Sequence, residues 1–203
     1  PQGFRPLCLG KTSHGYVLSS ESCAFDAIKA EFIRDIDPGE MVIIDDCGVR
    51  SKIYAEPQKI DKKLCVFEYI YFARSDSKID GQSVYETRLN MGRELYNETK
   101  YDADIVMSIP DSGTTAALGY ARASGIPFAE GLIKNRYSGR TFIKPNQEER
   151  ELAVRMKLNT MPEVVGGKRI VLIDDSIVRG TTSGLIVKML KEAGAKEIYM
   201  CVS

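Results

Sequence analysis

Several absences narrow what this chain can be. Its 203 residues hold one histidine. That residue, His14, falls in Thr12-Ser13-His14-Gly15, a stretch that reads as a surface turn rather than a catalytic position. There is no excess charge of either sign, 28 basic residues against 28 acidic, so neither nucleic acid nor an anionic membrane finds an electrostatic footprint. No apolar run reaches transmembrane length and no secretory leader is visible, so a cytoplasmic location is the expectation. Its five cysteines, Cys8, Cys23, Cys47, Cys65 and Cys201, are scattered without a C-x-x-C pair. That usage implies reduced thiols rather than a disulfide framework. Neither G-x-x-x-x-G-K-[ST] nor G-x-G-x-x-G occurs, which excludes the common phosphate-loop signatures. Internal repeats and low-complexity tracts are also missing. The opening Pro1-Gln2-Gly3-Phe4-Arg5-Pro6-Leu7 carries no initiator methionine and reads like the interior of a domain.

What is present centres on residues 170–183, IVLIDDSIVRGTTS. Ile170 to Ile173 is a short run of β-formers without alternation, the pattern of a strand buried on both faces of a parallel sheet. It stops at Asp174 and Asp175. Ser176, Arg179, Gly180, Thr181, Thr182 and Ser183 follow, then a helical pattern toward Ala193. In an open α/β sheet ligands sit beyond the carboxyl ends of strands. A helix starting there turns free N–H groups and a partial positive charge toward phosphate. The loop thus offers acceptors for hydroxyls or a divalent ion beside a phosphate cradle. Paired acids at a strand end also occur in receiver domains, or simply cap the next helix.

The rest of the chain arranges itself around that loop. With 43% hydrophobic residues there is enough for a core. Short β patterns at Tyr16–Ser20, Glu31–Ile36, Met41–Ile44 and Arg50–Ala55 surround a helix at Ala24–Ala30, an α+β piece. Cys23 lacks a nearby histidine and reads as a small buried hydrophobe. A polar stretch, Pro57–Lys63, is a linker, and Cys65–Ala73 is dense enough in aromatics to suggest an extended core segment. Ser83 and Glu86 have the spacing of a capping box ahead of a helix to about Glu98.

Asp104–Ile109 is a second buried-strand pattern, ended by Pro110. The small-residue turn Asp111-Ser112-Gly113-Thr114-Thr115 after it leads into an Ala-rich helix ending near Gly125. It is a second candidate for oxygen ligation or phosphate contact, or an ordinary N-cap. Four cations, Lys134, Arg136, Arg140 and Lys144, then fall within a Gly-containing, aperiodic stretch. They suit a lid over polyphosphate, or a solvated charged loop. Gln147–Leu158 is helical by pattern.

An apolar strand, two acids and a Gly-Thr-Thr turn into a helix resemble the signature of the type I phosphoribosyltransferases, which bind phosphoribosyl pyrophosphate (PRPP) through that loop. The resemblance extends along nearly the whole chain to the glutamine-dependent amidotransferase branch of that family. It is carried by Gly3-Phe4-Arg5-Pro6-Leu7, Ser20-Glu21-Ser22-Cys23-Ala24-Phe25-Asp26, Glu68-Tyr69-Ile70-Tyr71-Phe72-Ala73-Arg74, Lys134-Asn135-Arg136-Tyr137, Gly139-Arg140-Thr141-Phe142-Ile143 and residues 171–183.

The fold it implies is α/β, a Rossmann-like type I phosphoribosyltransferase domain over 61–203, with a parallel sheet and flanking helices. Residues 1–60 would be the C-terminal α+β part of an N-terminal-nucleophile glutaminase domain. The implied activity belongs to de novo purine synthesis: phosphoribosylamine and pyrophosphate from PRPP and glutamine-derived ammonia. By the same resemblance Asp174 and Asp175 would hold ribose hydroxyls and magnesium, with Ser112 a further magnesium-linked ligand. Ser176, Arg179, Gly180, Thr181, Thr182 and Ser183 would bind the phosphorylated sugar. Lys134, Arg136 and Tyr137 would close over PRPP. Purine nucleotide inhibitors and a homo-oligomer are implied as well.

Cys65 stands where the iron–sulfur branch places its first thiolate to a 4Fe-4S cluster, but one cysteine cannot hold a cluster. The glutaminase nucleophile, a cysteine with a free amine, is also missing at Pro1. Both departures lead to the expectation of an internal fragment of a longer enzyme. A PRPP-sensing transcriptional regulator on the same fold is the rival, though no basic patch or helix-turn-helix supports it. A receiver domain would leave the front strands and the basic stretch without a purpose.

Overall fold

The computed structural model describes residues 2–135, 137, 147–178 and 180–203, the side chains of 147–151 excepted. Contacts divide the chain into two compact units, residues 1–87 and 88–203.

In the first unit β1 (Cys8–Thr12) is the centre of a three-stranded antiparallel sheet, flanked by β2 (Gly15–Ser19) and by β3 (Glu31–Asp35). Helix α1 (Cys23–Ile28) buries Cys23 and Phe25. Strand β1 is not among the sequence expectations. Its Gly10 interrupts the apolar pattern because a side chain there would strike the Phe25 ring at 3.0 Å, and the register with β3 shifts between Leu9 and Gly10. β4 (Glu40–Asp45) and β5 (Gly48–Ile53) form a hairpin.

The segment expected to be extended, Cys65–Ala73, is instead a π-helical turn over Glu68–Phe72. Most of its aromatics are not core: Phe67, Tyr71 and Phe72 are exposed and only Tyr69 packs, partly buried, against Ala73, Ile79 and Val84, while Glu68 is buried and takes a bond from Arg5. Aromatic density has no period, so it cannot by itself distinguish a strand from a helical turn. After this turn the chain makes a small hairpin, β6 (Lys78–Ile79) with β7 (Gln82–Ser83). Its two-residue turn, Asp80-Gly81, has φ of +50° and +75°, the left-handed pair such hairpins favour.

Helix α2 (Val84–Thr99) starts as the capping spacing predicts, the Glu86 N–H donating to Ser83 Oγ at 3.3 Å. In the second unit β8 (Ile105–Ser108) leads to α3 (Thr114–Ser124). β9 (Leu132–Lys134) pairs antiparallel with β10 (Leu158–Thr160), between which lies α4 (Gln147–Lys157). The short α5 (Pro162–Val165) precedes β11 (Arg169–Asp174), then come α6 (Thr181–Glu192) and β12 (Glu197–Val202).

β11 is the middle of a parallel sheet ordered β12-β11-β8. Ile170 to Ile173 are all 0% exposed, as the unbroken apolar run predicts. Ile170 and Leu172 join Met107, Ile186 and Leu190 on one face; Val171 and Ile173 join Val106, Tyr120 and Cys201 on the other. Burial of each such side chain contributes about 2 kcal/mol. This double burial fixes where β11 ends, and so where the acids after it emerge.

Candidate functional site

The carboxyl end of β11 delivers Asp174, half-buried, and Asp175, 8% exposed. Asp175 donates its backbone N–H to Asp174 Oδ1 at 2.9 Å, and Ser176 Oγ donates to Asp175 Oδ1 at 2.5 Å. Burial pushes the Asp174 carboxyl up to about 6; the Asp175 N–H opposes the rise and the neighbouring Asp175 charge adds to it. The chain then turns at Gly180, whose φ of +72° suits glycine and whose Cβ position is open space. Helix α6 begins there without a side-chain cap, and the Gly184 N–H closes its first turn on the Gly180 carbonyl at 2.8 Å. The N–H groups of Thr181, Thr182 and Ser183 precede the helix's own bonding pattern. Thr181 and Thr182 are exposed and Ser183 half-buried. Free N–H groups at a helix start are suited to an anion, and here they lie next to two acids. Arg179 lies outside the described residues.

The turn after β8 packs against that same strand end. Ile109 donates its N–H to the Ile173 carbonyl at 2.9 Å. A Cβ on Gly113 would lie 2.6 Å from that carbonyl oxygen and 3.2 Å from Asp174 Cα, so only glycine admits this approach. Half-buried Ser112 is thereby carried to the acid loop, while Thr114 Oγ1 bonds Ser108 Oγ at 3.1 Å. Lys134, the last residue of β9, reaches the carboxylate of Asp111 on the same turn. Tyr137 is 98% exposed, its N–H held by Asn135 Oδ1 at 3.0 Å, and touches none of these groups. Arg136, Arg140 and Lys144 fall outside the described residues.

The second unit thus assembles Ser112, Lys134, Asp174, Asp175 and the α6 turn from segments far apart in sequence. Asp111, the partner of Lys134, is a member that sequence reasoning names only within its turn. Its one signal is its position directly after the strand-ending Pro110.

The donor set tests whether a metal fits. Asp174, Asp175 and Ser112 supply oxygen only, the ligand type magnesium selects. Among the described residues no group of three or more His, Cys, Asp and Glu side chains could hold a metal alone. The oxygen-only donor set is one that magnesium, which commonly takes only one or two carboxylates from a protein, would accept. Cys65 is half-buried in the first unit.

Comparison with known proteins identifies the family. Residues 91–203 match the phosphoribosyl transferase domain. Amidophosphoribosyltransferase from Archaeoglobus fulgidus is 56% identical over 98% of this chain, and that from Bacillus subtilis 52% identical over all of it. The chain spans 43% and 42% of those two proteins, less than half their length. Among solved structures, glutamine PRPP amidotransferase from B. subtilis complexed with ADP and GMP superposes with a TM-score of 0.90 at 52% identity, over 98% of this chain and 44% of that one. A second structure, described as the allosteric regulatory enzyme of purine biosynthesis, gives 0.91 at 52% identity, over 100% and 43%. No helix of the described residues is long and apolar enough to cross a membrane. A transferase-type acid loop at the end of a parallel strand, a domain match over more than half the residues, and relatives above half identity lead to one conclusion: the chain belongs to the phosphoribosyl transferase domain family.

Proposed function

We propose that this chain forms the PRPP-binding part of an amidophosphoribosyltransferase, which joins ammonia to the anomeric carbon of PRPP and releases pyrophosphate. The observation that carries the reading is the convergence at one strand end. Two carboxylates, an uncapped helix start and a glycine-enforced second turn all border the space beyond Asp174. One ligand carrying vicinal hydroxyls, a phosphate and a diphosphate would use all three.

In this reading the carboxylates of Asp174 and Asp175 accept from the ribose hydroxyls, which fixes the sugar's rotation about its own axis. The N–H groups of Thr181, Thr182 and Ser183 and the hydroxyls beside them take the 5′-phosphate, with Ser176 and Arg179 alongside. Held at both points, the anomeric carbon has a fixed position for attack, and positioning accounts for much of such a rate gain. Lys134, with Arg136 and Tyr137 from the adjoining stretch, meets the negative charge that builds on departing pyrophosphate. Asp174, Asp175 and Ser112 would hold magnesium, which would supply charge neutralisation on the diphosphate. Ammonia arrives with its own lone pair, so no side chain needs to act as its base.

We assign residues 1–60 to the tail of a glutaminase domain, and purine nucleotides as inhibitors by extension from the ADP and GMP of the B. subtilis complex. The regulator alternative is disfavoured because the relatives carry the enzyme's name. Calorimetric titration with PRPP and magnesium tests the reading. The unaltered chain should bind and Asp174→Asn with Asp175→Asn should abolish binding; near-normal affinity in the double variant would contradict the assignment.

A further inference from the structure

Lys134 is the cation that the described structure places within this assembly, and it is already engaged. Its ammonium sits on the carboxylate of Asp111. Asp111 is not a random surface acid. It opens the turn whose Gly113 is pressed against the Ile173 carbonyl and Asp174 Cα, so its Cα is fixed relative to the acid loop. Lys134 is equally fixed at its base, as the end of β9, its residue paired with Leu158 of β10. Both side chains are solvent-rich, 51% exposed for the lysine and 75% for the aspartate. Exposed pairs of this kind exchange partners readily, being worth only ~0.2–1 kcal/mol.

We propose that Asp111 is a positioning residue that holds Lys134 in the ligand-free protein, standing in for the anion that the lysine serves when a diphosphate is bound. This rests on the reading of the site as one that takes PRPP. The reason is electrostatic. A carboxylate and a diphosphate oxygen are alternative partners for one ammonium, and the two anions repel each other at ion-pair range. Lys134 therefore has to leave Asp111, or share it at a cost, when the diphosphate enters. In exchange Asp111 keeps the lysine near the turn instead of free in solvent, and lowers affinity for the free diphosphate product. Asp111 touches no reacting atom in this scheme; it acts only through Lys134.

The test is a double-mutant cycle read by calorimetry with inorganic pyrophosphate and magnesium, with PRPP binding by the unaltered protein as reference. Asp111→Asn should bind pyrophosphate more tightly by a factor between about 1.4 and 5, which is what an exposed ion pair of this strength corresponds to. In a Lys134→Met background the same substitution should have a markedly smaller effect, because the partner it frees is gone. Asp111→Glu, which keeps the charge, should restore wild-type affinity, and raising salt should narrow the gap between Asp111→Asn and wild type. Unchanged or weaker binding by Asp111→Asn, or a tightening just as large without Lys134, overturns the proposal while leaving the PRPP reading intact. Failure of the unaltered protein to bind PRPP removes both.

Discussion

Asp174 is charged at a cost. Its ordinary carboxyl value is 3.8 and burial lifts it to about 6 in the folded chain. Between those two values the folded state holds a proton that the unfolded state has released, so stability falls as pH rises through that window and stays lowered above it. Asp174→Asn removes the charge and keeps an Oδ1 to accept the Asp175 N–H. It should therefore raise stability by about 1–2 kcal/mol at pH 8. A tenfold change in proton affinity is worth about 1.4 kcal/mol, and solvent on the open side of this half-buried group screens part of that. At pH 4, where the native carboxyl is already protonated, the gain should be small. Thermal unfolding of both proteins at the two pH values checks this; an equal gain at both would refute it. A sequence states that two acids follow a strand, and that much was legible here from the unbroken run at Ile170–Ile173. What surrounds each acid was not legible: the backbone that ends β11 leaves Asp174 half-buried, while Asp175 accepts a bond from Ser176 Oγ. For the same reason the Asp111–Lys134 pair could not be read in advance, since 23 residues separate its members.

At the scale of elements, the contact of α2 with α3 shows what pattern reading passes over. A Cβ added at Gly92 would fall 1.8 Å from the Ala116 carbonyl oxygen, and one at Gly119 would fall 2.1 Å from that of Leu89. The two backbones touch, and each glycine is there for want of room rather than for its backbone freedom. Within a helix a glycine reads only as a weak position costing up to ~1 kcal/mol against alanine, so α2 and α3 can be read from their patterns without any sign that they meet. Gly92→Ala should cost about 3 kcal/mol, because the obstructing atom is backbone and cannot step aside as a side chain would. Gly184→Ala in α6, where nothing lies within 4 Å, should gain about 0.5–1 kcal/mol from propensity alone. Denaturant unfolding separates the two, and a Gly92→Ala protein as stable as Gly184→Ala would show that the helices can part. Elements with a clear period or an unbroken apolar run, such as α3, α6, β8 and β11, were legible. The π-helical turn at Glu68–Phe72 was not: its exposed aromatics imitate a buried strand, and the buried acid that anchors it, Glu68, depends on Arg5 63 residues away.

For the chain as a whole, the cysteines bear on which half of the proposed reaction it can perform. Taking ammonia from glutamine requires a nucleophile; a thiol serves only as thiolate. Burial pushes the thiols of Cys8 and Cys201 up to about 11, which leaves roughly one thiolate in a thousand at pH 8. Cys23 is buried as well, its Sγ donating to Glu21 Oε2 at 3.8 Å, and the chain has no histidine beyond exposed His14 to serve as base. The transferase half makes no such demand: the groups proposed for it are acids, N–H donors and a lysine, and the second unit gathers them. Supplied with PRPP, magnesium and an ammonium salt at pH 8, the 203-residue chain should therefore release pyrophosphate. Supplied with glutamine in place of ammonium, it should release neither pyrophosphate nor glutamate. Coupled assays for the two products distinguish the cases: glutamate from glutamine would mean that one of these thiols is activated in a way its surroundings argue against. Pyrophosphate release with ammonium that persists in Asp174→Asn with Asp175→Asn would mean that the chemistry sits elsewhere than at the end of β11.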